Sequence, residues 1–72
     1  MRVSKIKIIE QISEDSYRSK DGYSVAREYG PDDNGNLISG KWVFRDPLNN
    51  FIDMDRDRHD LMKRNNLQGV FN

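Results

Sequence analysis

The sequence predicts an α+β domain: a small antiparallel sheet of three to four strands, arranged as a meander, with one C-terminal α-helix packed on one face. Three observations predict it. Strand-like runs follow one another from Val3 to Asp46, divided by clusters of turn residues. Asp21-Gly22 lies between two of those runs, and glycine supplies the positive φ that a tight hairpin demands. From about Asp53 to Asn65 the spacing becomes helical, with Met54, Leu61 and Met62 on one stripe. A helix laid over one face of a sheet lets both elements bury their apolar sides.

The first strand is expected near residues 3–11. Ile6 and Ile8 alternate there with Lys5, Lys7 and Ile9, and β-branched residues at period two favour a half-buried strand. Ser13-Glu14-Asp15 ends it. The runs Ser16–Ser19 and Tyr23–Tyr29 flank the Lys20-Asp21-Gly22 turn. In the second run Tyr23, Val25, Arg27 and Tyr29 share a face, and Tyr23, Val25 and Tyr29 are the expected core set. Residues 30–36 read as an exposed loop, because nearly every residue there is a turn former.

Leu37 to Asp46 reads as the next strand, with Trp42 and Phe44 facing one way and Val43 and Arg45 the other. Asp46-Pro47 opens a turn, and Phe51-Ile52 pairs back briefly. Asp53 is then positioned to cap a helix, with Asp55 and Asp57 at its positive end and Lys63 and Arg64 in its last turn. Asn66 suits a left-handed cap, and residues 68–72 read as either a flexible tail, the expectation carried forward, or a short added strand.

All of residues 1–72 fit a single small domain. A chain of this size buries only about 60 % of its unfolded surface. Its core supplies roughly 3–5 kcal/mol of net stability. There is no cysteine, which removes disulfides, thiolate chemistry and sulfur-ligated metals. Twelve Lys and Arg balance twelve Asp and Glu, so formal net charge is zero, unlike a strongly basic nucleic-acid binder. No apolar run has the length of a signal peptide or of a membrane span. The expected location is cytoplasmic, with no membrane association.

The run Asp53 to Asp60 contains Asp53, Asp55, Asp57, Asp60 and the single histidine, His59. In a helix these groups fan around the axis and do not converge. A calcium loop needs glycine at its sixth position and glutamate at its twelfth; counted from Asp53 those positions hold Arg58 and Arg64. The reading is a capped, salt-bridged helix with no metal and no cofactor. His59 has the range for general base work, but no serine stands in a nucleophile elbow, so no catalytic residue is assigned.

Two binding surfaces remain as candidates. Arg58 falls in the middle of the apolar helical stripe, where a cation must snorkel over an aromatic ring or meet a partner's acidic pocket. With Arg56, His59, Lys63, Tyr17 and Tyr29 it forms the candidate protein-binding set. Lys5, Lys7, Arg18, Lys20, Arg27, Lys41 and Arg45 lie on strands or turns. Gathered on one sheet face, they would form a basic patch for nucleic-acid phosphates.

Trp42-Val43-Phe44-Arg45-Asp46, followed by a turn, a short strand and a helix, resembles the layout of small DNA-binding modules built from a three-stranded sheet and a helix. The arm-type domains of phage integrases and AP2-like domains share it. The resemblance implies a nucleic-acid-binding role; the acid-rich helix departs from the basic character of those modules. The sequence expectation is therefore a small non-enzymatic protein-binding module with an unidentified protein partner. It would be an inhibitor or adaptor of the kind phages and mobile elements encode, acting by occlusion. Nucleic-acid binding is the alternative.

Overall fold

The computed structural model describes residues 6–31, 34–37 and 39–70. The expected strand start at Val3, Lys5 of the basic set, Asp32 and Asp33 of the loop, and the tail residues Phe71 and Asn72 lie outside them.

The described chain forms β1 (Lys7–Ser13), β2 (Ser16–Ser19), β3 (Ser24–Glu28), β4 (Lys41–Arg45), β5 (Phe51–Asp55), α1 (Arg58–Arg64) and β6 (Leu67–Val70). The sheet order is β5-β4-β3-β2-β1-β6, curled into a half-barrel. The α+β class and the C-terminal helix on a sheet are as expected. The strand count is not: the sheet has six strands, and it is mixed, because β6 runs parallel to β1. The five-strand meander brings β5 back to the direction of β1, and β6 shares that direction at the opposite edge. The chain must therefore return between them, and α1 makes that return against β4, β5 and β6.

The observed elements depart from the expected bounds at three places. The helix starts at Arg58, not near Asp53, because Phe51–Asp55 pairs with β4, with Met54 opposite Val43 and Asp53 opposite Phe44. Asp57 is the N-cap, and its carboxylate accepts the His59 N–H at 2.8 Å. Residues 68–70, read as either tail or added strand, belong to β6; the Lys7 N–H donates to the Asn66 carbonyl at 2.9 Å where the pairing begins. Asn66 takes the left-handed conformation, φ 56°, that turns the chain from helix to strand. The strand expected from Leu37 starts only at Lys41, since Ser39 and Gly40 both have positive φ. Leu37 instead bridges Pro31 across the loop and is exposed.

The core lies between the inner sheet face and α1. Ile9, Tyr17, Val25, Trp42, Phe44, Leu61, Met62 and Leu67 form it, with Tyr23 packed against its margin. Cross-strand register sets this face: Val25 lies opposite both Tyr17 and Phe44. Leu61 and Met62 are the helix's contribution. The expected Met54 belongs to β5 instead, on the outer face beside Val43.

Val43 is buried at 1 % although it points away from that core. The register explains it. The Arg45 guanidinium grips Glu28 through two bonds of 2.9 and 3.0 Å. That pair runs diagonally across the Ala26–Val43 row on the same face, and Met54 stands opposite Val43 on the other side.

Candidate functional site

Arg58 sets the inner wall of the site. Its guanidinium donates to the Tyr17 hydroxyl and stands 5.1 Å from the Tyr17 ring and 5.6 Å from the Trp42 ring. Stacking on two π faces replaces part of the hydration this cation loses. Tyr17, expected as a partner contact, is a core residue at 1 % exposure. The chain puts Tyr17 on the inner face because it pairs with Val25 and Gln11 on neighbouring strands.

Beside Arg58, α1 and the start of β6 enclose an open cleft of about 380 Å³. Ile6, Met62 and Leu67 supply its apolar lining, while Arg58, His59 and Lys63 supply the basic side. The structure thus brings together Arg58, His59 and Lys63 of the candidate set. Arg56 is exposed between β5 and the helix cap and does not line the cleft. Tyr29 is also elsewhere: it is exposed and its ring lies over Gly40, where a Cβ would come within 2.8 Å of it.

The far end of the helix is held by carboxylates. Arg64 donates to Asp53 at 2.8 Å and to Asp55 at 2.9 Å, and Asn65 reaches Asp53 at 2.9 Å. The Arg64 guanidinium holds the Asp53 carboxyl well below its ordinary value, at about 2, despite its partial burial. Asp55 is lowered too, first by the Asp57 N–H and then by Arg64. These carboxylates are committed to a clamp between β5 and α1. Among the described residues, no group of three or more His, Asp and Glu is placed to hold a metal ion.

The strand cations divide between the two sheet faces. Lys7 bonds Asp21 at 2.9 Å and stands 4.2 Å over the Tyr23 ring. Arg27 lies over Trp42, with Asp15 at 3.8 Å, on the inner side. Arg18 stands opposite Glu10, and Lys41 opposite Glu28, on the outer side with Arg45. Lys20 is exposed in the hairpin turn. Carboxylates thus lie beside or across from Lys7, Arg18, Arg27, Lys41 and Arg45, and the described cations form no single patch.

Sequence reasoning missed an apolar stripe. Ile9 faces the core, so Ile8 faces out, at 57 % exposure. Val70 of β6 lies on the same outer face, at 42 % exposure, opposite Glu10. Ile6 precedes the strand at 64 %, and Ile12 sits in a bulge at 59 %. The signal was present: apolar residues occupy both parities of the first strand, and one layer of core can cover only one of them.

Comparison of the chain with protein-family models, curated proteins and solved structures returned no significant match.

Proposed function

We propose that the chain is a non-enzymatic protein-binding module that occludes a surface of its partner, as an inhibitor or adaptor does. One observation carries the proposal: Ile6, Ile8, Ile12 and Val70 are exposed around the β1–β6 side of the sheet among the described residues. Exposed apolar side chains gathered on one side of a sheet mark protein contact in small domains. Zero net charge and the dispersal of the strand cations favour protein over nucleic acid as the partner. The lack of cysteine fits a cytoplasmic site of action.

The test compares the wild-type protein with an Ile8→Lys/Val70→Lys variant, each immobilised and offered a cell lysate, with bound proteins identified by mass spectrometry. Both side chains are exposed, so the variant's stability should change by less than about 1 kcal/mol. Wild type should retain one protein in stoichiometric amount, and the variant should lose it. Retention of nothing, or equal retention by both, overturns the proposal. Retention abolished by nuclease transfers the reading to nucleic acid.

A further inference from the structure

We infer that the cleft between α1 and β6 receives an extended acidic segment of the partner, carrying apolar side chains between its carboxylates. The inference rests on the protein-binding reading and names the chemistry of the partner at one end of the exposed surface. Ile6 connects the two regions, because it lines the cleft and lies next to the β1 stripe.

Charge defines the sign of the ligand. His59 and Lys63 are exposed on the helix side of the cleft, and among the described residues no aspartate or glutamate lines it. Among the described residues, no carboxylate forms an ion pair with Lys63, whereas Arg64 beside it is engaged by Asp53 and Asp55. Asp60 lies on the same helix but outside the lining. The neighbouring cleft beyond Ile6 is mixed in sign, with Glu10 and Asp21 beside Lys7 and Lys20, so the α1–β6 cleft is the one whose described charged lining is all basic.

The backbone defines the form of the ligand. β6 is an edge of the sheet, and no described strand covers its outer side. The Lys7 N–H takes the Asn66 carbonyl, so parallel alternation turns the backbone groups of Leu67 and Gly69 toward that open edge. Leu67 and Gly69 also line the cleft. An extended peptide can therefore add to β6 while its side chains alternate between cleft and solvent. Ile6, Met62 and Leu67 give apolar side chains a floor that a phosphate backbone does not use.

The test is an amide NMR titration of the full chain with an acetylated, amidated hexapeptide of alternating glutamate and leucine. Its glutamine–leucine counterpart and a short oligothymidylate are run in parallel. The acidic peptide should shift the amides of Met62, Lys63, Leu67 and Gly69. Its affinity should fall about tenfold on replacement of its glutamates, and about tenfold in a His59→Glu/Lys63→Glu variant whose spectrum is otherwise unchanged. Equal binding of the glutamine peptide, shifts confined to other elements, or no shifts at millimolar peptide overturn the inference. Tighter binding of the oligothymidylate at the same amides also overturns it, in favour of phosphate. Loss of lysate capture in Ile8→Lys/Val70→Lys with a silent cleft leaves the protein-binding reading standing and removes only this one.

Discussion

Tyr17 and Arg45 show how single side chains close the two faces of this sheet. Tyr17 fills the inner core, and its hydroxyl meets Arg58, so a half-buried cation enters the helix–sheet interface with a polar contact and two aromatic faces. Tyr17→Phe keeps the ring and leaves the guanidinium without that oxygen. Chemical denaturation should show a loss of about 1–2 kcal/mol, with no change in the secondary structure seen by circular dichroism. On the other face Arg45 holds Glu28 through two bonds, diagonally across the row that contains Val43. Lysine cannot reproduce that fork. Arg45→Lys should cost about 1 kcal/mol by the same measurement, more than a typical exposed ion pair contributes, because side-chain exposure is only 15 % for Arg45 and 28 % for Glu28.

At the scale of elements, the short helix depends on its ends. Its seven residues are too few to persist alone, so packing of Leu61 and Met62 and ties at both termini hold it. The C-terminal tie is the clamp of Arg64 and Asn65 on Asp53. The Asp53 carboxyl sits at about 2 in the folded protein, against 3.8 ordinarily. A depressed carboxyl binds fewer protons folded than unfolded, so its stabilisation is complete above about pH 4 and disappears as pH falls through the folded value. Urea midpoints measured from about pH 6 down to about pH 2 should therefore fall for wild type, and Asp53→Asn should flatten that fall. The two hairpin turns are also coupled. Gly22 has φ 99°, and a Cβ there would approach the Pro47 side chain to 3.1 Å. This is where the β2–β3 turn rests against the β4–β5 turn.

At the scale of the molecule, β6 completes the architecture. It adds the parallel strand to β1, caps the core with Leu67 and borders the cleft beside α1. Ending the chain after Asn66 should expose Ile9 and Leu61 and abolish the cooperative thermal transition, since a core this small has about 3–5 kcal/mol to lose. Retention of a sharp melting transition in that truncated protein would show that β6 is peripheral.

Local chemistry by itself determined a good deal: the Asp-Gly hairpin, the opposed faces of Trp42 and Val43, the cations of the last helical turn and the left-handed Asn66. Each of these depends on φ preference or side-chain period, which neighbouring residues set. Helical spacing also placed Arg58 on the apolar stripe, close to the aromatic rings it stacks on. Tertiary structure decided the rest. Residues 51–55 carry a pattern that serves either helix or strand, and the open edge of β4 chose strand. Leu67–Val70 is short enough that its sequence fits a tail or an added strand equally, and the ladder offered by β1 chose strand. Ile8 and Ile9 are equally apolar, and only the curl of the sheet around α1 put Ile9 inside and left Ile8 on the surface, because a single layer of core covers one face of a strand.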